Sequence, residues 1–372
     1  MNIGIDISQI VYKGTGVSRF TEGLVQGILE YDKKHNWTFF FSGRQELPIT
    51  IESNIHSKGQ KLVKWPIPPR VLSFLWNDLH NYSKLLTLNS QFLTKLDWFI
   101  TSDWTEPSIQ TKKATIIHDL VFKKHPETVH DTILKTQQKR LNWVQHESDL
   151  IFADSQSTAD DLKKYYKIDS KKIVINYPGV DEPMQMDRNF ITEIKSNFRI
   201  PDTFILTVGK LEPRKNLERL IQAYNLLQKK HTKLPALVIV GMHGWDTDIQ
   251  KHDDIILPGY VNDEILTALY QSALCFVYPS IYEGFGYPVV EAMINKCPVL
   301  TSNTSSLIEL AKNKSALTFD PLNVEDIAEQ LEKIINNQNL RTELIKNGEK
   351  RAIQFTWKNY VATLLKNLEK KL

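Results

Sequence analysis

Cysteine is nearly absent: the 372 residues hold two, Cys275 and Cys297. Neither stands in a spacing that suggests a disulfide framework or a zinc site. Both fall in or beside apolar runs, residues 273–278 and 298–300, and read as small buried thiols of a chain kept in a reducing compartment. Long apolar runs are lacking too. No stretch reaches the ~18–20 residues that span a bilayer. The N-terminal residues 2–7 read as a strand and not as a signal peptide. The expected location is cytoplasmic, with at most a peripheral contact at the inner face of the membrane. An excess of one charge is missing as well. Lys and Arg number 46 against 43 Asp and Glu, for a net +3, which argues against a nucleic-acid partner. There is no short repeat, low-complexity tract or coiled-coil heptad. What remains is ordinary globular sequence, long enough for two domains.

Short β-rich runs alternate with helical patterns almost throughout. In the first half the runs are residues 3–7, 38–41, 98–101, 115–118, 150–153 and 173–176, with helical patterns at 16–31, 131–146 and 157–166. In the second half they are 204–208, 236–240, 255–257, 273–278, 299–301 and 317–319. Helical patterns at 217–230, 263–271, 289–295, 305–312 and 324–336 separate them. Such alternation builds parallel sheets with helices on both faces. Tyr177-Pro-Gly-Val-Asp-Glu-Pro183 ends a strand with two prolines and a glycine, so the chain is expected to divide there.

The richest stretch is Pro279-Ser-Ile-Tyr-Glu-Gly-Phe-Gly-Tyr-Pro-Val-Val-Glu-Ala-Met293. It follows the apolar run 273–278 and places Glu283 in a glycine loop. Gly284 and Gly286 flank Phe285 and free the backbone to turn and expose its amides. Pro288 suits the first helical position. A strand, a glycine loop and a helix N-terminus in that order suit anions and sugar hydroxyls. Glu283 on the loop and Glu291 one turn into the helix can face one ligand, and at first sight they look like an acid/base pair. A second stretch, Gly209-Lys-Leu-Glu-Pro-Arg-Lys-Asn216, stands between strand 204–208 and helix 217–230. Arg214 offers a planar fork of donors and Lys215 a compact charge. Both are expected at a helix N-terminus, whose dipole favours anions.

Together these residues resemble the retaining GT-B glycosyltransferases of family 4, the glycosyl transferases group 1. E-G-F-G-Y-P-V-V-E matches the E-x7-E motif of that family, with its internal G-F-G and the proline before the helix. Residues 209–216 match its G-x-L-x-P-R-K-N segment. The resemblance covers nearly the whole chain. It implies an α/β architecture of two Rossmann-like parallel-sheet domains facing a central cleft. Residues 1–178, with a C-terminal helix at 356–372 crossing back to them, would form the acceptor side, and residues 179–355 the nucleotide-sugar side.

The resemblance also implies roles. Arg214 and Lys215 would hold the donor diphosphate beside Gly209. Lys210 stands where many members carry Arg, which leaves its part less defined. Glu283 would bind hydroxyls of the donor sugar, with the amides of Gly284, Phe285 and Gly286 nearby, and Glu291 would accept from the ribose hydroxyls. Tyr282 and Phe285 would wall the donor pocket. Lys13-Gly-Thr-Gly-Val-Ser-Arg19 lacks the third glycine of a dinucleotide fingerprint, since Arg19 stands there. The family's T-G-x-x-R/S pattern instead assigns Thr15, Gly16 and Arg19 to the donor phosphate and acceptor side. The segment from His118 to Glu127, H-D-L-x5-P-E, is similar to a subgroup rich in mannosyltransferases and O-antigen enzymes. That places His118 near the transferred sugar and Asp119 near the acceptor. Asp103, in Asp103-Trp-Thr-Glu106 after strand 98–101, is a second acceptor candidate.

The implied reaction moves a hexose to a hydroxyl of a glycan or lipid-linked acceptor with retention. Mannose from GDP-mannose is the first choice and a UDP-sugar the alternative. No cofactor and no metal is expected. Asp246-Thr-Asp248 is a literal D-x-D, read as a surface loop. A nucleotide-sugar 2-epimerase and a non-catalytic sugar-nucleotide binding protein are the competing readings. Residues 61–76 mix basic, aromatic and apolar side chains. They could lie against a membrane, or form an ordinary loop and helix on the sheet.

Overall fold

Thirteen strands are found among the described residues, and every pair is parallel. The structure is a computed structural model and describes residues 1–12, 14–80, 95–101, 103–231, 233–241 and 254–372. The first unit contains β1 (Asn2–Asp6), β2 (Asn36–Ser42), β3 (Lys61–Trp65), β4 (Trp98–Thr101), β5 (Lys112–Ile117), β6 (Leu150–Ala153) and β7 (Ile173–Ile175). They form one sheet in the order β3-β2-β1-β4-β5-β6-β7. The second unit contains β8 (Phe204–Val208), β9 (Ala236–Val240), β10 (Ile255–Gly259), β11 (Cys275–Tyr278), β12 (Val299–Ser302) and β13 (Leu317–Phe319). Their order is β10-β9-β8-β11-β12-β13. Both sheets run outward from their first strand in one direction, then restart beside it in the other. That is the doubly wound Rossmann order, and it opens a crevice where the order reverses. The reversal lies between β1 and β4 in the first unit and between β8 and β11 in the second.

The central strands read as continuous apolar runs because helices cover both of their faces. All five residues of β9, Ala-Leu-Val-Ile-Val, are buried. So are all four of β4, β6, β11 and β12. The covering helices bury one stripe each. Helix Leu217–Lys230 turns Leu220, Tyr224 and Leu227 inward and keeps its lysines for the last turn, where they favour the helix dipole. Each unit has its own core. In the second, Leu220 and Tyr224 pack with Ile205, Leu237, Val277 and Leu300. In the first, Ile117, Phe122, Leu141, Ile151 and Leu162 pack together.

Several expectations are corrected here. Residues 61–76 contain β3, an edge strand that pattern reading missed. Its Lys61 and Lys64 are exposed and its apolar residues only half-buried, as charged sheet edges usually are. The rest of that stretch spends its apolar residues on the core. Leu72 and Trp76 are buried with Phe40 and Phe99, and Trp65 meets Phe40 edge-on at 5.0 Å. Val71 and Phe74 remain exposed. Helices Ile49–Ser57, Arg188–Asn197 and Gln338–Ala352 were also unanticipated. The units divide as Met1–Asp181 with Thr356–Leu372, and Glu182–Phe355. Residues 179–181 group with the first unit, where the returning helix Trp357–Lys370 holds them. The Trp357 indole donates to Asp181 Oδ1 at 3.1 Å, and a Cβ on Gly179 would stand 2.3 Å from the Trp357 nitrogen. No helix among the described residues is long and apolar enough to cross a membrane.

Candidate active site

In the second unit both motifs fall at the reversal point. Residues 209–216 leave the carboxyl end of β8, and residues 279–286 leave the carboxyl end of β11, its sheet neighbour. The two loops are stitched together. Asn216 adopts the left-handed conformation with φ 57°, and its side-chain amide donates to the carbonyls of Pro279 at 3.0 Å and Pro321 at 2.7 Å. The Ile281 amide donates to the Arg214 carbonyl, and the Arg214 guanidinium donates to the Tyr282 carbonyl at 2.8 Å.

This stitching creates a compact ion cluster. Glu283 takes Arg214 at 2.6 Å on Oε2 and Lys215 at 2.7 Å on Oε1. The Tyr278 hydroxyl joins it, accepting from Lys215 Nζ at 2.7 Å and donating to Glu283 Oε1 at 2.9 Å. Arg214 also holds Glu212 at 2.8 Å. The three charged side chains Arg214, Lys215 and Glu283 are 16%, 13% and 10% exposed, so solvent screens them little. Burial would raise the Glu283 carboxyl, but Arg214 and then Lys215 pull it down to about 2. Burial and the neighbouring Arg214 lower Lys215, against the pull of Glu283. Chemically the cluster offers a fork of donors and an ammonium for phosphate oxygens, beside a fixed carboxylate for hydroxyls.

The glutamate loop is held by the next strand-to-helix turn. Ser305 accepts from the Glu283 amide at 3.0 Å, and Ser306 donates to the Glu283 carbonyl at 3.0 Å. Gly286 caps helix Tyr287–Ile294 at φ 105°, a conformation open to glycine. A Cβ there would also stand 2.8 Å from Leu307. Pro288 is the second helical residue and not the first. Arg214 and Lys215 lie in a short turn, Pro213–Lys215, separated from helix Leu217–Lys230 by Asn216, and so precede the helix N-terminus. Glu291 is buried on its helix and accepts from the Tyr270 hydroxyl at 3.3 Å. Tyr282 and Phe285 are almost wholly buried. Phe285 packs edge-on against Tyr287 and Phe355, which makes it a support of the loop. Gly209 is half-buried and Lys210 exposed. The D-x-D at 246–248 lies outside the described residues. No group of three or more His, Cys, Asp or Glu suited to a metal occurs among the described residues.

In the first unit the candidates again follow strand ends. Thr15 caps helix Gly16–Tyr31: its Oγ1 accepts from the Ser18 amide and donates to the Tyr12 carbonyl at 2.8 Å. Its hydroxyl is therefore engaged within the chain, and the segment presents exposed Gly16 and half-buried Arg19. Lys13 lies outside the described residues. His118, just past β5, lines a cavity of about 20 Å³ with Asp6, Gln9, Thr101 and Asp103. That is room for about one water. His118 Nδ1 meets Asp154 Oδ2 at 2.7 Å. Burial alone would lower His118, but the Asp154 carboxylate, its hydrogen bond, Asp103 and Asp119 raise it to about 9.

Asp119 accepts from the Val121 amide, two residues on, at 2.9 Å, where the short turn Val121–Lys124 begins. Asp103 is paired with Arg140 at 3.6 Å. Glu106, three residues on, is committed to the interior. It is fully buried, accepts from Thr101 at 2.8 Å and pairs with Lys113 at 3.2 Å. Sequence reading missed Tyr278, Asn216 and Asp154. Tyr278 and Asp154 are the terminal residue of one strand and the first after another, and strand ends in a parallel sheet are the signal that could have found them.

Two domain profiles match the chain. Glycosyltransferase Family 4 covers residues 15–182 and Glycosyl transferases group 1 covers residues 190–351. The serotype-specific mannosyltransferase WbdA of Escherichia coli is 32% identical over 225 residues, which is 57% of this chain and 28% of WbdA. The O-antigen chain mannosyltransferase B of Escherichia coli is 37% identical over 164 residues, 42% of this chain and 43% of that protein. The chain thus spans less than half the length of these relatives. HepE of Anabaena, solved in complex with UDP and glucose, shares the fold with a TM-score of 0.71 at 15% identity, over 99% of this chain and 100% of HepE. With both domains matched in order and both sheets wound alike, this chain belongs to the GT-B-fold glycosyltransferases of family 4, the glycosyl transferases group 1.

Proposed function

We propose that the protein is a retaining hexosyltransferase that moves mannose from GDP-mannose to a hydroxyl of a glycan or lipid-linked acceptor. One observation carries the reading: Arg214, Lys215 and Glu283 are brought together at the reversal point of the second sheet. Such a cluster can take a diphosphate on its cations and sugar hydroxyls on its carboxylate. The choice of mannose rests on the names of the two Escherichia coli relatives. A UDP-sugar donor is the second reading, favoured by the UDP held by HepE.

The bond from the anomeric carbon to the β-phosphate oxygen breaks, and the acceptor oxygen attaches to that carbon on the same face. The acceptor proton passes to the departing phosphate. Arg214 and Lys215 stabilise the charge left on the diphosphate, the work a divalent cation performs in metal-dependent transferases. Glu291 serves the ribose and Glu283 the transferred sugar. Glu283 is no nucleophile in this scheme, because two cations hold it as a counterion. On the first unit, His118 faces the transferred sugar and Asp103 and Asp119 serve the acceptor. Exposed Val71 and Phe74 beside basic Arg70 support a peripheral contact with a membrane that carries the acceptor. Loss of liposome flotation in Phe74→Ser is the expected result.

The donor is tested by thermal shift with GDP-, UDP- and ADP-sugars, since a ligand of the folded state raises Tm with its affinity. GDP-mannose is expected to give the largest shift, and NMR of the product is expected to show the donor's anomeric configuration retained. An inverted product would overturn the mechanism. A free epimer formed without acceptor would make the protein an epimerase, and binding without transfer a non-catalytic partner.

A further inference from the structure

His118 is held by the segment that follows β6 at both its backbone and its ring. The Thr158 hydroxyl donates to the His118 carbonyl at 3.1 Å. Asp154 donates its amide to the Ile117 carbonyl at 3.2 Å, which fixes the carboxylate opposite the imidazole. The ring sits edge-on against Phe20 of helix Gly16–Tyr31, with centroids 4.6 Å apart. Phe20 is backed in turn by Trp357 and Tyr360 of the returning helix. The imidazole therefore has one setting. Nδ1 is taken by Asp154, and Nε2 has no hydrogen-bond partner among the described residues. The side chain keeps 17% of its surface, whereas Asp154 keeps 4%.

We propose that Asp154 is a positioning residue: it accepts the Nδ1 proton of His118, locks the ring, and keeps Nε2 as a proton-bearing donor for an oxygen of the ligand in the first unit's crevice. The inference rests on the reading of His118 given above. A carboxylate partner does two things to an imidazole. It selects the tautomer that leaves the far nitrogen defined, and it favours the doubly protonated ring, which donates at both nitrogens. A donor at Nε2 suits a sugar hydroxyl or a phosphoryl oxygen and cannot serve as a general base. Burial and three carboxylates set the charge of the ring: burial lowers it, and Asp154 after β6, Asp103 after β4 and Asp119 beside His118 raise it. Tyr360, near Asp154, has its hydroxyl pushed further up by burial and that carboxylate, so it stays neutral. Among the described residues, only Asp154 is hydrogen-bonded to the ring.

The alternative is a plain structural tie between the ends of β5 and β6. Asp154→Asn separates the two, because the amide oxygen can still accept from Nδ1 while the charge is gone. With a ring that loses its proton only near pH 9, wild-type kcat/KM should hold through neutral pH and fall on an alkaline limb. In Asp154→Asn that limb should move to lower pH by ~1–2 units, with kcat/KM down ~2- to 10-fold at pH 8 and little changed at pH 6. A structural tie predicts a drop of equal size at every pH, and that result overturns the proposal. Titration of the His118 ring in the wild-type protein by NMR needs no variant to fold. A midpoint at or below the ordinary ~6.5 likewise overturns it. His118→Ala distinguishes the two layers. Lost activity with an unmoved limb in Asp154→Asn sinks the Asp154 role alone, whereas wild-type activity in His118→Ala sinks the reading of His118 and the proposal with it.

Discussion

Glu283 has two cations on it before any donor arrives, and this sets what each substitution should do. Lys215→Ala removes one charge from a buried cluster and leaves the Tyr278 hydroxyl without its donor. Glu283→Ala leaves two cations facing each other. Each should lower kcat/KM with the preferred donor by ~10²-fold or more, the usual cost of losing a preorganised charge or donor. Near-normal turnover in both would sink the site. Tyr278→Phe is the milder probe. It keeps the ring and removes two hydrogen bonds, so kcat/KM should fall only ~3- to 10-fold. The pH dependence follows from Glu283 itself. Its folded pKa of about 2 lies below the ordinary glutamate value of 4.5, so its contribution to stability is present above 4.5 and lost as pH falls through about 2. Acid unfolding followed by circular dichroism should show a shallower fall in Glu283→Gln than in wild type over that window.

At the scale of elements, strands with an unbroken β-rich run were plain in the sequence, even at the sheet edge, whereas the strand interrupted by lysines was not. β4, β6, β8, β9 and β13 match the expected residues at both ends. β3 was missed because Lys61 and Lys64 break its apolar pattern. The loops bearing Arg214, Lys215 and Glu283 were legible because glycine, proline and charge are fixed at short range there. The residues that hold those loops were not, because their partners lie far along the chain. Asn216 bonds Pro321, 105 residues away, and Ser305 and Glu283 are 22 apart. Gly241 is another such support. A Cβ on it would stand 1.8 Å from the Gly209 carbonyl oxygen, and backbone cannot yield as a flexible side chain can. Gly241→Ala should therefore displace the start of the loop that carries Arg214 and Lys215. Calorimetry should show GDP binding weakened ~10-fold or more with the fold retained, at a stability cost of ~1–3 kcal/mol. Unchanged GDP affinity would mean that the loop position does not govern the phosphate site.

At the scale of the whole molecule, the chain leaves its first unit at Asp181 and returns at Thr356. The first unit is therefore incomplete until residues 356–372 have been made. The returning helix buries Trp357, Tyr360, Val361, Leu364 and Leu368. Its anchor is the Trp357 indole, seated where side chains are missing. A Cβ on Gly23 would stand 2.1 Å from that ring, and one on Gly27 2.9 Å from its Cβ. Both glycines lie within helix Gly16–Tyr31, where alanine would normally gain ~1 kcal/mol. Here the sign should reverse, because the indole occupies the space. Gly23→Ala should lower stability, and Trp357→Ala should cost ~3–5 kcal/mol by leaving the socket empty. Deleting residues 356–372 is the sharper experiment. Hydrogen exchange should show protection lost across residues 1–181, including the strand ends that carry His118 and Asp154, while residues 182–355 keep theirs. GDP should still raise the melting temperature of the remaining transition, because Arg214, Lys215 and Glu283 all belong to the second unit. Equal loss of protection in both units would show that the second cannot fold without the first, and that the nucleotide site depends on residues the second sheet does not supply.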